Sequence, residues 1–275
     1  MAGASRQQLL ATFKDLLASG AFSDLTLTCG ADTYRVHKNI VCSRADFFAR
    51  AVKFGGKETE QGQVDLPDDE PFIVKLLIQY IYEGEYEPCL PDDDYSSVVA
   101  TETKPTSKKK HRNSHTYNYG FPHSCLPYRY SCNDPNVCPH HTCGSHCGYQ
   151  CAEFTCATCK PNPPTIQGPP DQLITHAKMY EIADKYNVTG LKELVKEKFN
   201  RACQNFWDDA NFAIAAHHAF STTPETDKGL RDVVSKTIAE HMEALVKKPE
   251  VETLLTEFNG LAFRLLKMKM EAGWK

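Results

Sequence analysis

Aliphatic side chains are almost missing from the middle of this 275-residue chain. Between Pro88 and Pro170 the only Leu, Ile or Val residues are Leu90, Val98, Val99, Leu126, Val137 and Ile166. So few cannot bury the area that orders a segment by itself. Long apolar runs are missing throughout, and none approaches the ~18 residues needed to span a bilayer. The opening, MAGASRQQLL, lacks the basic-then-apolar pattern of a secretory signal. Charge of one sign is missing too. The formal net charge is −4, which excludes a general attraction to nucleic acid or acidic lipid. These absences predict a protein inside the cell, in cytoplasm or nucleus, with no membrane partner. Catalytic signatures are also missing. There is no HExxH, no GxSxG, no GxxxxGK followed by Ser or Thr, and no GxGxxG. The expectation is a protein that is not an enzyme and has no catalytic residues.

Ordered structure is legible from Phe22 to Phe48. Leu25, Leu27 and Cys29 alternate with Thr26 and Thr28, the period of a half-buried strand. Gly30-Ala31-Asp32 supplies a turn, and Thr33 to Val36 reads as a second strand. A short connection follows. Ser43 and Asp46 have the spacing of a pair that caps a helix start, and Phe47, Phe48, Ala51 and Val52 fall on one face of that helix. Before the hairpin, Leu9, Leu10, Phe13, Leu16 and Leu17 follow helical spacing over Ser5 to Ser19. After it, Val64 to Leu66 reads as a strand. The acids of Asp68-Asp69-Glu70 and the first-turn Pro71 then open a helix. Phe72, Ile73, Leu76, Leu77, Tyr80 and Ile81 form its core stripe, Gly84 ends it, and Glu85 to Glu87 can return as a small strand.

These residues carry a resemblance. Ser23-Asp24-Leu25, Val36-His37-Lys38, Cys42-Ser43 and Phe47-Phe48 resemble the opening of a BTB/POZ domain. Val64-Asp65-Leu66-Pro67-Asp68-Asp69 and Tyr80-Ile81-Tyr82-Glu83-Gly84 resemble its third strand and the end of its third helix. His176 to Tyr186, HAKMYEIADKY, resembles its AxxYxLADKY helix. The overall style is similar to BTB proteins of filamentous fungi. The resemblance implies an α+β fold, the BTB/POZ fold of a small β-sheet flanked by helices. Its parts would be 1–87 and the closing helices 171–205, split by an insertion at 88–170 and followed by an all-α extension at 206–275. It also implies that the helix bearing Leu9, Phe13, Leu16 and Leu17 packs across a two-fold dimer interface, and that His37 is a packed structural histidine.

The insertion divides in two. Up to about residue 119 it is acidic, then Ser/Thr-rich, then basic at Lys108 to Arg112, and reads as disordered. The basic run could serve nuclear import or nucleic acid, but a solvated charge run fits it better. The second part is mostly irregular and rich in Cys and His. Eight of the chain's 12 cysteines lie between Cys125 and Cys159. In a reducing compartment such a cluster reads better as metal ligands than as disulfides. The candidates are Cys125, Cys132, Cys138, His140, Cys143, His146, Cys147, Cys151, Cys156 and Cys159. Thiolates and imidazoles are the ligands that zinc prefers, and with His123 and His141 the run could hold two ions. Only Cys156 and Cys159 have CxxC spacing. A structural zinc would replace the missing apolar core; the alternative is a loop with free thiols.

Past Asp171, apolar periodicity marks a helical pair through Leu173, Ala177, Tyr180 and Ile182, then Leu191, Leu194, Val195, Lys198 and Phe199. Asp208-Asp209 caps a further helix. Two long helices, Leu230 to Val246 and Pro249 to about Met270, complete the extension. His217-His218 reads as helix surface or core. The function expected is a protein–protein interaction module that associates with itself and scaffolds unidentified proteins. The resemblance also raises a ubiquitin-ligase adaptor that binds a cullin scaffold. Its partner loop would offer Glu58, with Gly56 where a large apolar anchor is needed and Phe54 as the substitute. A third reading is a zinc-dependent nucleic-acid binder that the BTB part dimerises.

Overall fold

The computed structural model describes residues 2–54, 61–90, 168–271 and 273. The insertion's cysteines and histidines, Lys108 to Arg112, and Gly56 and Glu58 lie outside the described residues. Residues 1–90 and 166–275 form one compact unit.

Helix α1 (Ala2–Ser19) precedes the hairpin β1 (Leu25–Cys29) and β2 (Asp32–Val36). The alternation is realised: Leu25, Leu27 and Cys29 are buried and the two threonines between them half-buried. Gly30, at φ 57°, lets the chain reverse tightly. Strand β3 (Gln63–Asp65) adds to the other side of β1, in parallel, with Leu27 opposite both Tyr34 and Val64. A parallel pair needs a crossover. Among its described residues lie the short helices α2 (Lys38–Arg44) and α3 (Asp46–Lys53).

Helix α2 corrects the expected short connection. Its first turn is held by the Asp24 carboxylate, which accepts the Lys38 amide at 2.7 Å. The expected cap at Ser43 and Asp46 does not form. Ser43 lies inside α2 and donates to the Ile40 carbonyl, and Ala45 occupies the N-cap of α3. The Asp46 carboxylate instead accepts the Asn187 side chain at 2.6 Å.

Helix α4 (Pro71–Glu83) is the centre of the core. Eight of its side chains are buried, from Ile73 to Tyr82. Phe72 departs from the expected stripe and stays exposed. Pro71 sits in the first turn, and Gly84 ends the helix at φ 72°. The acids before α4 do not cap it. Asp69 takes Lys185 at 2.8 Å and the Tyr186 hydroxyl, and Glu70 takes Lys178 at 2.6 Å. No strand forms at Glu85 to Glu87.

The closing helices are α5 (Gln172–Lys185) and α6 (Leu191–Phe206). They finish the core begun before residue 90. Tyr186 lies 4.7 Å from the Phe47 ring and stacks on Phe48. The Thr189 amide donates to Arg44, and its carbonyl accepts the Tyr80 hydroxyl. His37 is buried, with one ring nitrogen 2.7 Å from the Tyr82 hydroxyl and the other 2.7 Å from the Ala21 carbonyl.

A second polar knot joins residues 85–90 to α5 and α6. The fully buried Tyr86 hydroxyl is 2.9 Å from His176 Nδ1. Lys198, 1 % exposed, donates to the carbonyls of Tyr86 at 2.6 Å and Pro88 at 2.8 Å, and pairs with Glu85 at 2.5 Å. Burial, with the Lys198 charge nearby, lowers the His176 pKa to about 3. In the unfolded chain the same group titrates near 6.5. Stability is therefore full above about pH 6.5 and falls as the unfolded state alone takes up the proton. The slope is about 1.4 kcal/mol per pH unit, or about 2 kcal/mol by pH 5. Melting curves at pH 7 and pH 5 test this. His176→Gln is expected to flatten the acid limb, and an unchanged limb would assign the acid sensitivity elsewhere.

The extension continues with α7 (Ala210–Thr222), α8 (Gly229–Glu240), α9 (Met242–Leu245), α10 (Pro249–Glu257) and α11 (Asn259–Glu271). Asp209 caps α7 as expected, its carboxylate accepting the Asn211 amide at 2.9 Å. The two long helices expected here are each broken. His241, at φ −112° and ψ 25°, and Phe258, at φ −105° and ψ 74°, leave the helical region and end one turn before the next begins.

Candidate interaction surface

Helix α1 is apolar on one side and only half supported. Phe13 and Leu17 pack against the core and Leu16 is half-buried, while Leu9 is 56 % and Leu10 37 % exposed. Its fold partner is α4, to which it is tied by Lys14 and Glu83 at 3.4 Å. Beneath its last turn lies an open cleft of about 520 Å³, lined by Leu17, Tyr34, Lys75, Ile78 and Glu83 among others. Phe22 and Phe54 are 89 % and 90 % exposed, in the loop before β1 and at the end of α3. Large apolar groups left in water mark contact surfaces more often than catalytic ones.

The joint between the closing helices and the extension is polar. Asp227 accepts the Tyr180 hydroxyl at 2.8 Å, the Gly229 amide at 2.9 Å and Lys192 at 2.7 Å. Burial opposes its charge, but these three donors outweigh it and hold the carboxyl below its usual range. Burial and the same carboxylate push Tyr180 up to about 12. His217 reaches Glu257 at 3.0 Å and His218 reaches Glu181 at 2.9 Å. Each tie joins two helices, α7 to α10 and α7 to α5. No group of Cys, His, Asp and Glu among the described residues could hold a metal ion. No helix among them is long and apolar enough to cross a membrane.

The sequence-predicted residues divide accordingly. Leu9, Phe13, Leu16 and Leu17 share one helix and one side. Phe54 is solvent-facing, but Glu58 lies outside the described residues, as do all the metal candidates. Tyr86 and His176 were missed as a polar pair, and Gly229 was not singled out. Lys198 did carry a signal, because it stands in the apolar stripe of α6.

The described residues combine a small three-stranded sheet, flanking helices and exposed apolar side chains. The family model of the BTB/POZ domain matches residues 13–104, so this part of the chain is a BTB/POZ domain, a protein–protein interaction module. Kelch-like protein 41b of Danio rerio is 33 % identical over 90 residues, covering 32 % of this chain and 14 % of that protein. The chain thus spans about a seventh of the length of this curated relative. Among solved structures, the BTB domain of zebrafish PATZ1 is similar at 13 % identity, covering 36 % of this chain and 77 % of that one, with a TM-score of 0.27. The BTB domain of human Gigaxonin is 18 % identical, covering 34 % and 72 %, with a TM-score of 0.25.

Proposed function

We propose that this chain is a BTB/POZ scaffold that associates with itself through α1 and offers its insertion and helical extension to other proteins. The supporting observation is the exposed apolar end of α1. A terminal helix whose Leu9 and Leu10 stand in water gains from a second copy what its own fold does not provide. Light scattering after size exclusion is expected to give twice the 30.9 kDa chain mass. Leu9→Asp with Leu10→Asp is expected to give the single mass without unfolding, because both residues are exposed. A wild-type chain that stays monomeric at micromolar concentration would overturn the proposal.

A second reading, adaptor for a cullin scaffold, is favoured by the near-complete exposure of Phe54 at the head of the partner loop. Gly56 argues for weak binding, since a missing apolar anchor loses roughly 2 kcal/mol, about thirty-fold in affinity. Zinc in the insertion rests on its donor set. Cys156 and Cys159 with sulfurs and imidazoles from Cys125 to Cys151 have the chemistry of structural zinc sites, and the metal would act by ordering that segment.

A further inference from the structure

Helix α11 is apolar on two opposite sides. At 3.6 residues per turn, Leu261, Leu265 and the half-buried Met268 share the side that packs on α8 and α10. Phe263, Leu266 and Met270 share the other side and are 66 %, 46 % and 59 % exposed. Their spacing of three and then four residues is that of the seam positions of a coiled coil. Lys267 and Lys269 then occupy the two positions that flank such a seam. Arg264 is spent on Asp232 at 2.8 Å, while Lys267 and Lys269 have no ion pair among the described residues.

The flanking charge selects the occupant. A second copy of α11 laid antiparallel would set Lys267 or Lys269 against its own counterpart, and a parallel copy would bring Ala262 and Trp274 to the lysines rather than an acid. A partner helix with Glu at its flanks would meet both lysines with opposite charge. We infer that the free side of α11 is a docking site for an amphipathic helix with acidic flanks, supplied by another protein.

The test uses the full chain and two labelled three-heptad peptides with the same apolar seam, one flanked by Glu and one by Lys. Fluorescence anisotropy at low salt is expected to show the acidic peptide binding roughly tenfold or more tightly than the basic one, with the gap narrowing as salt is added. Lys267→Glu with Lys269→Glu is expected to reverse the order. Leu266→Asp, at an exposed position, is expected to weaken the acidic peptide about tenfold with an unchanged melting temperature. Equal binding of the two peptides, or none at about 100 µM, overturns the inference. A fall in the chain's own mass with Leu266→Asp would assign the stripe to self-association instead. Tighter binding to phosphatidylserine vesicles than to the acidic peptide would assign it to a membrane surface.

Discussion

Lys198→Met is expected to cost about 3–5 kcal/mol, the range for breaking a buried ion pair from one side, and to lower the melting temperature by about 10 °C. The ammonium is fully buried and serves three oxygens, the Tyr86 and Pro88 carbonyls and the Glu85 carboxylate. It also stands 4.0 Å from the centre of the Tyr86 ring. Burial pulls the Lys198 pKa below lysine's ordinary value, and Glu85 opposes that pull. Methionine fills a similar volume but donates nothing, so two carbonyls lose their donor at once. The segment 85–90 should then lose hydrogen-exchange protection before the rest of the unit. Adding Glu85→Leu is expected to recover part of the loss, because a pair replaced on both sides is far less costly than one broken. A melting temperature within a degree of wild type for Lys198→Met would show that the three contacts contribute nothing net.

Gly229→Ala is expected to be nearly as damaging, by about 2–4 kcal/mol. The requirement is space rather than backbone freedom. A methyl group at Gly229 would lie 1.8 Å from the Tyr180 hydroxyl oxygen and 2.5 Å from its ring carbon. Tyr180 cannot retreat cheaply. It is 4 % exposed, its hydroxyl is held by Asp227, and Lys192 lies over its ring at 4.7 Å. Accommodating the methyl group means displacing a tyrosine that joins α5 to the start of α8. Denaturant melts of Gly229→Ala and of Gly229→Ala with Tyr180→Phe separate the parts of this cost. The second change removes the worst contact and is expected to restore a fraction of the loss. Full stability of Gly229→Ala alone would mean that α8 can shift freely against α5.

These positions show what was readable in the chain beforehand. The hairpin, α4 and the closing pair were legible because their burial follows the periods of a strand and a helix. Leu25, Leu27 and Cys29 behave as alternation predicts, and Lys198 stands on the buried side that spacing gave it. Partners across long separations were not legible. Nothing local says that Asp46 meets Asn187, or that Asp69 turns from its own helix to Lys185 and Tyr186. The capping reading of Ser43 and Asp46 failed because a tertiary partner outcompeted a local one. The break at His241 has no Gly or Pro to announce it, whereas the one at Phe258 is followed by Asn259-Gly260, a turn signal passed over in the reading of one long helix. For the interaction surface, the apolar side of α1 was visible in sequence, but only coordinates separate Leu9 and Leu10 in water from Phe13 and Leu17 on the core.

The ties between the two halves of the core also set the order of events at the ribosome. Tyr80 waits for Thr189, 109 residues later, and Tyr86 waits for His176. At about 5–20 residues per second, translation needs on the order of ten seconds to supply those partners. During that interval Tyr82 already has His37, but the Tyr80 and Tyr86 hydroxyls lack their partners. Hydrogen-exchange protection of Tyr80 and Tyr86 is therefore expected to appear only once α5 and α6 have left the exit tunnel.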